Sequence, residues 1–102
     1  MREFFNLSEE GNPQGGFTHL SGGNRIDWQS GPIPNGIQNG ALIEDVLRAA
    51  IGRLTFFQTF ADGKFACDEN ASAIEHCQEA IRTLESRTAA RVARGVEGTY
   101  EP

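Results

Sequence analysis

The pattern of apolar and polar residues changes near residue 40. In the stretch ALIEDVLRAAIGRLTFFQTF, which begins at Ala41, apolar residues recur every three and four positions. This period predicts an amphipathic helix with one buried stripe. The predicted stripe consists of Ile43, Val46, Leu47, Ala50, Leu54 and Phe57. Asn39 precedes the helix and is of the type that commonly caps a helix N-terminus.

A second helix is predicted after a break at Asp62 and Gly63. Asp68 is the expected N-cap, and the helix is expected to run from about residue 69 to residue 94. Gly95 follows, and glycine readily adopts the left-handed conformation that ends a helix. Two long helices joined by a short loop form an antiparallel helical hairpin.

The first 40 residues have a different composition, with eight of the twelve glycines and all but one of the prolines. The segments GFTHL and RIDWQ flank SGGN, which predicts a β-hairpin with a glycine-containing turn, and PNG and NG mark further turns. We therefore predict an α+β fold with a small N-terminal antiparallel sheet followed by the long two-helix hairpin. Residues 1–40 are predicted to form the β and loop region, and residues 41–102 the helical hairpin. Both parts belong to one domain, and the protein is expected to be oligomeric.

Composition and charge exclude several classes of protein. A net charge of −5 argues against binding to duplex nucleic acid, which normally requires a basic surface. The chain has no apolar run of about 20 residues and starts without the apolar core of a signal peptide, so we expect a cytoplasmic protein that does not enter the membrane. Cys67 and Cys77 lack zinc-ligand spacing, and the chain offers no nucleophile with a base. We predict no catalytic residue, metal or cofactor.

The C-terminal part of the second helix carries an unusual row of arginines. Its apolar seam is predicted to contain Ala73, Cys77, Ala80, Ile81 and Leu84. Arg87, Arg91 and Arg94 continue this seam at helical spacing. Cations at a helix C-terminus favour the helix dipole, which is the ordinary explanation. However, like charges one turn apart repel each other, and arginine suits bidentate contact with phosphate. The row therefore predicts half of a phosphate site.

Aromatic residues near the end of the first helix form a second candidate feature. Phe56 and Phe60 lie on a face away from the main stripe, where they could pack against protein or stack on a nucleobase. Asn70 is the nearest polar group able to bond a base or a sugar. Asn70 and Arg87 are separated by about 25 Å along one helix. If both serve one site, two hairpins must meet antiparallel around a two-fold axis.

Three segments carry a resemblance to a known family. FACDEN opens the second helix, SRTAARVARGVEGT closes it, and IDWQSGPIPNGIQNG leads into the first helix. Over roughly residues 25 to 100, the chain resembles the phage Thoeris anti-defence sponge family, whose helical hairpin is shared with anti-CBASS sponges.

The resemblance implies a protein that is not an enzyme. It implies a homodimer or a dimer-based hexamer that binds the cyclic ADP-ribose isomer made by a TIR-domain sensor and holds it intact. The family's aromatic, asparagine and two arginines correspond to Phe60, Asn70, Arg87 and Arg91. We expect the glycine-containing tail to close over the ligand as a lid. The candidate ligand-binding residues are Phe60, Asn70, Arg87, Arg91, Arg94, Val96, Glu97, Gly98 and Thr99.

Three alternatives remain open from the sequence. A sponge for the cyclic di- or trinucleotides of CBASS systems needs the same arginines and stacking rings. A phosphodiesterase that destroys the signal needs a general base or a metal near Arg91, where Glu97 is the available carboxylate. A protein-interaction hairpin would direct its arginines to an acidic partner.

Overall fold

The computed structural model describes most of the chain, and the chain divides into two compact units. The described residues are 2–4, 8–9, 12–13, 15–31 and 38–99. One unit combines residues 1–42 with residues 91–102, and the other consists of residues 43–90. The first unit contains the β-structure together with the end of the second helix, and the second contains the body of the helical hairpin.

The first unit contains two small antiparallel sheets. A three-stranded sheet has the strand order β1-β4-β5, and β2 pairs with β3 in a separate ladder. The strands are β1 (Arg2–Phe4), β2 (Ser8–Glu9), β3 (Asn12–Pro13), β4 (Phe17–His19) and β5 (Arg25–Asp27). The predicted N-terminal antiparallel sheet is therefore confirmed.

The hairpin predicted around SGGN is formed by β4 and β5. Thr18 lies opposite Ile26 in the antiparallel register. The Leu20 N–H donates to the Asn24 carbonyl at 2.7 Å and closes the turn. Gly23 has a φ of 91°, a conformation that glycine adopts at no steric cost. The later PNG segment lies outside the described residues.

The chain returns to the sheet just before the first helix. Ala41 forms a parallel bridge with Trp28, and its N–H donates to the Asp27 carbonyl at 2.7 Å. Gly40 approaches so closely that a Cβ there would lie 2.5 Å from the Trp28 carbonyl carbon and oxygen. The side chain of Trp28 is also fixed, because its indole N–H donates to the buried Thr18 hydroxyl at 2.9 Å. A glycine is therefore required at position 40.

Asn39 does not cap the first helix as predicted. Helix α1 begins later, at Ile43. The Asn39 side chain instead bonds the backbone of Ser30, accepting from its N–H at 2.8 Å and donating to its carbonyl at 3.1 Å. Gln29 accepts from the Asn39 N–H at 2.8 Å. Both amide side chains thus join the two backbone segments on either side of residues 32–37.

Helix α1 spans Ile43–Gly63, but its last turn is not helical. Phe60 has a ψ of 137°, and Ala61 and Asp62 have φ values of 52° and 58°. Gly63 also has a positive φ, of 85°. The break predicted at Asp62 and Gly63 is confirmed, and it begins with Phe60.

Helix α2 spans Asp68–Arg94 and ends at Gly95, whose φ is 74°. This confirms the predicted C-terminus. The predicted cap is wrong, because Asp68 is already the first helical residue. Cys67 holds the cap position: its sulfur accepts from the Asn70 N–H at 3.4 Å, and its carbonyl accepts from the Ala71 N–H at 3.2 Å.

Two side-chain links join the helices into the predicted antiparallel hairpin. Near the loop, Gln58 exchanges two hydrogen bonds with the backbone of Cys67, at 2.9 and 3.1 Å. Further along, Arg48 forms an ion pair with Glu85 at 3.5 Å. Exposed ion pairs of this kind contribute little to stability.

The stripe on each helix differs in part from the prediction. On α1, Ile43 and Ala50 are exposed, and Ile51 is half-buried in their place. On α2, the seam continues beyond Leu84 through Thr88 and Arg91, so that Arg87 lies on the exposed side. The half-buried residues of α1 are Glu44, Val46, Leu47, Ile51, Leu54, Phe57, Gln58 and Gly63.

Candidate ligand-binding site

Three phenylalanines form an exposed surface at the loop end of the hairpin. Phe56, Phe60 and Phe65 are 42%, 49% and 50% exposed. The Phe56 and Phe60 ring centroids lie 5.2 Å apart, and the Phe60 and Phe65 centroids lie 6.3 Å apart. We call these three rings the aromatic shelf. Phe60, the predicted stacking residue, is its central member.

Two cations lie against rings at the aromatic shelf. The Arg53 guanidinium lies 5.0 Å from the Phe56 centroid and 4.7 Å from that of Phe57. The Lys64 ammonium lies 5.5 Å from the Phe65 centroid. All three distances are within the range of cation–π attraction. The shelf therefore combines exposed aromatic rings with positive charge.

Asn70 and Arg87 lie in α2 and are separated along its length. Helix α2 is unbroken between them, so the spacing of about 25 Å predicted from the sequence applies. Asn70 is half-buried in the first turn of α2, whereas Arg87 is exposed. Neither side chain forms a hydrogen bond or an ion pair with another described residue. Both are therefore available for a ligand or a second chain.

Arg91 organises the residues that follow α2. Its Nη2 group donates to the carbonyls of Val96 and Thr99 at 2.9 and 3.0 Å. Its Nε group donates to the Glu97 carboxylate at 3.2 Å. The Arg91 side chain is only 19% exposed. One guanidinium thus holds the backbone and the carboxylate of the tail together.

The remaining predicted residues lie in the same turn. Gly98 is buried with a φ of 83°, and Val96 is half-buried. Thr99 donates from its N–H to the Val96 carbonyl at 3.1 Å. Arg94, at the last position of α2, is exposed. The structure therefore brings Arg91, Val96, Glu97 and Thr99 into direct contact through the folded tail.

Two features of this region were missed at the level of sequence. Phe65 begins the segment FACDEN, but its contact with Phe60 depends on the left-handed turn between them, which the sequence does not indicate. Arg53 could have been noticed, because it precedes Phe56 and Phe57 by three and four residues, the spacing of side chains that meet on one helix face.

The described residues form neither a candidate metal site nor a helix able to span a membrane. No group of three or more histidine, cysteine, aspartate or glutamate side chains in this part of the chain could hold a metal ion. Within the same residues, neither helix is long and apolar enough to cross a bilayer.

Comparison with known proteins identifies the family. A family model described as "Acb2/Tad1, hairpin domain" matches residues 22–89, about two thirds of the chain. The chain belongs to the Acb2/Tad1 hairpin-domain family. The matched residues of the Acb2/Tad1 domain include Phe60, Asn70 and Arg87, whereas Arg91 and the folded tail follow the matched region.

The chain is also similar in sequence to a phage protein. The chain is 43% identical over 76 residues to a protein named "Thoeris anti-defense 1" of Bacillus phage SBSphiJ7. The alignment covers 74% of this chain and 51% of the relative. The Acb2/Tad1 hairpin-domain chain therefore spans about half the length of that protein.

Proposed function

We propose that this chain is a phage anti-defence protein that binds the TIR-produced cyclic ADP-ribose isomer in the host cytoplasm and sequesters it intact, which blocks Thoeris immunity. Membership in the Acb2/Tad1 family and the name of the phage relative support this proposal. The half-exposed ring of Phe60 is the structural observation that carries it. A flat ring exposed to this extent suits stacking on adenine.

Phosphate binding is assigned to the arginines of α2. Arg87 is exposed and makes no ion pair within the described part of the chain, so its fork of donors can meet the pyrophosphate. Arg91 contributes from the tail that it organises, and Arg94 adds positive charge at the end of the helix. Binding and slow release require no general base, so the proposal is of a binding protein and not of an enzyme.

The site is proposed to be shared between two chains. Asn70 and Arg87 are too far apart on α2 for one mononucleotide-sized ligand. Exposed apolar side chains also favour assembly: α1, described in full, has no buried residue, and Ile81 is the one buried residue of α2. We propose a homodimer, or a hexamer built from dimers, in which Phe60 and Asn70 of one chain meet Arg87 and Arg91 of the other.

The folded tail is proposed to act as a lid on this site. Residues Val96, Glu97, Gly98 and Thr99 turn back on Arg91, so a ligand held by that arginine would also lie beside their backbone. A lid slows dissociation, and slow dissociation is what a sequestering protein needs.

A retention experiment tests the function. The protein is mixed with the cyclic ADP-ribose isomer, free ligand is removed, and the protein is heat-denatured before the released nucleotide is identified. We expect intact nucleotide. An altered nucleotide would indicate an enzyme, and no retained nucleotide would leave a protein-interaction role. Cyclic di- and trinucleotides in parallel test the CBASS alternative.

Mixing variants tests the shared site. Asn70→Ala and Arg87→Ala each damage both sites of a homodimer, but a heterodimer of the two has one intact site. After subunit exchange in an equimolar mixture, about half of the dimers should be heterodimers with one intact site of two, so binding should recover to about one quarter of the wild-type capacity. Arg82→Ala, which changes an exposed arginine elsewhere on α2, is the control and should bind normally. Proven exchange without recovered binding would show that the site is not shared.

A further inference from the structure

The aromatic shelf contains more aromatic surface than one stacking residue requires. Phe56, Phe60 and Phe65 are each at least 42% exposed and form a continuous run of ring contacts. Exposed apolar groups gathered in one place commonly mark a binding surface. The proposed function uses Phe60 alone, which leaves the other two rings unexplained.

The rings of Phe60 and Phe65 are nearly parallel. Their planes differ by 15°, whereas the planes of Phe56 and Phe60 differ by 31°. Two nearly parallel exposed rings offer a flat ligand two aromatic contacts of similar orientation. A fused two-ring base is the flat group in nucleotides with enough area to use both.

The backbone between the two phenylalanines is held in an unfavourable conformation. Ala61 and Asp62 have φ values of 52° and 58°, in the region that residues with a Cβ seldom occupy. This turn brings the Phe65 ring alongside the Phe60 ring after the helix has ended. Such backbone conformations are concentrated at sites that bind ligands.

Positive charge at the aromatic shelf favours an anionic aromatic ligand. Arg53 lies over Phe56, and Lys64 lies over Phe65. Both belong to a protein whose net charge is −5, so cations beside these rings are not a consequence of overall composition. A nucleotide supplies both a flat base and negatively charged phosphates. An apolar face of a second chain would leave these two charges to be desolvated at a cost.

We infer that the aromatic shelf binds the purine ring of the ligand, with Phe65 as a second stacking residue beside Phe60 and with Lys64 and Arg53 attracting the phosphates. This inference rests on the proposed function, because it concerns the same nucleotide. It adds specificity: a purine contacts two rings, whereas a pyrimidine has the area for one.

Calorimetric titration of Phe65 variants with the cyclic ADP-ribose isomer tests the inference. Phe65→Leu keeps an apolar side chain and removes the ring, so affinity should fall by about tenfold, the effect of losing one stacking partner. Phe65→Tyr keeps the ring and should stay within about threefold of the wild type. Leu20→Ala is the matched control, since Leu20 is an exposed apolar residue in the turn between β4 and β5, at 40% exposure, and has no part in the proposed site.

Further probes separate stacking from charge. Inorganic pyrophosphate has no base, so Phe65→Leu should not change its binding. Lys64→Gln should weaken binding of the nucleotide and of pyrophosphate alike, by a few-fold, and should reduce the dependence on salt. An equal loss for pyrophosphate in Phe65→Leu would show that the substitution acts on the fold and would overturn the inference.

The outcomes distinguish this inference from the proposed function. If Phe60→Ala loses binding but Phe65→Leu binds like the wild type, the inference is wrong and the proposed function stands. If Phe65→Leu changes the molecular mass in solution and not the affinity per site, the shelf is a subunit contact and the inference is wrong. If the wild type retains no nucleotide, both fail.

Discussion

Arg91 donates a hydrogen bond from Nε to the Glu97 carboxylate at 3.2 Å, six residues beyond it in the chain. The same guanidinium donates to two carbonyls of the tail, those of Val96 and Thr99. An arginine that the sequence suggests as a phosphate ligand thus also folds the segment proposed as the lid. Under the proposed function, binding of the ligand and order of the tail are coupled through this one side chain.

Arg91→Lys should loosen the tail. Lysine keeps the charge but lacks the fork of donors that reaches two carbonyls and a carboxylate together. We expect hydrogen exchange at the Thr99 amide, which donates to Val96, to become at least about tenfold faster. Arg82→Lys, on the exposed side of α2, is the control and should leave this rate unchanged. If the Thr99 amide of Arg91→Lys exchanges as slowly as that of the wild type, the guanidinium does not hold the tail in place.

Glu97→Gln should strengthen binding of the cyclic ADP-ribose isomer. The Glu97 carboxylate partly neutralises Arg91, and an incoming phosphate must compete with it. Because the pair is partly exposed, we expect a gain of about two- to fivefold, measured by calorimetry. The control is Glu85→Gln, which removes a carboxylate that pairs with Arg48 at 3.5 Å. Weaker binding by Glu97→Gln would show that the carboxylate itself contacts the ligand.

Thr18→Val should destabilise the β-containing unit. The substitution keeps the side-chain volume but removes the acceptor of the Trp28 indole N–H, at a position that is 8% exposed. The free energy of unfolding should fall by about 1 kcal/mol, because the half-buried Trp28 indole N–H loses its acceptor. Trp28 is the single tryptophan of the chain, so its fluorescence reports the transition. Thr18→Ser keeps the hydroxyl and should lower the free energy of unfolding by less.

Gly40→Ala should disrupt the entry into the hairpin. A Cβ at this position would lie 2.5 Å from the carbonyl carbon and oxygen of Trp28, which are backbone atoms and cannot rotate away. We expect a loss of at least about 2 kcal/mol in the free energy of unfolding. At Gly22, a Cβ would meet no described atom within 4 Å, so Gly22→Ala should change stability by less than about 0.5 kcal/mol. Similar effects of the two substitutions would contradict the close approach.

Ala61→Gly should not destabilise the helical hairpin. Ala61 has a φ of 52°, which glycine adopts without strain. We therefore expect the free energy of unfolding, measured by thermal or denaturant unfolding, to rise by about 1 kcal/mol. Ala49→Gly, at an exposed and regular helical position, should instead cost about 1 kcal/mol. A loss at Ala61 equal to that at Ala49 would show that α1 continues as a regular helix through Phe60.

The sequence by itself determined the class and order of the elements. Apolar residues repeat every three to four positions after residue 40, and glycines punctuate the chain before it; both patterns act locally and therefore specify helix and turn directly. The hairpin around SGGN, the break at Gly63 and the end of α2 at Gly95 follow from such signals. Helical phase and resemblance also indicate Phe60, Asn70 and Arg87 as candidate ligand-binding residues.

Only the tertiary structure decided how particular side chains are used. Asn39 is of a residue type that commonly caps helices, but its side chain bonds Ser30, because the backbone of residues 39–41 pairs with a distant segment. Cys67 caps α2 in place of Asp68, since the backbone contact with Gln58 fixes where the helix starts. Neither choice can be made from local preference, because each depends on residues at least nine positions away.

The same limit applies to the candidate site. Helical phase placed Arg87 and Arg91 together on one seam, but Arg87 is exposed, whereas Arg91 is half-buried and bonds the residues that follow α2. Arg91 meets Glu97 after Gly95, which lies between them, adopts a positive φ and ends the helix. Phe65 joins Phe60 through left-handed residues that no sequence pattern predicts. Local patterns determined the helices, and contacts made after the chain reverses decided which of their side chains are left for a ligand.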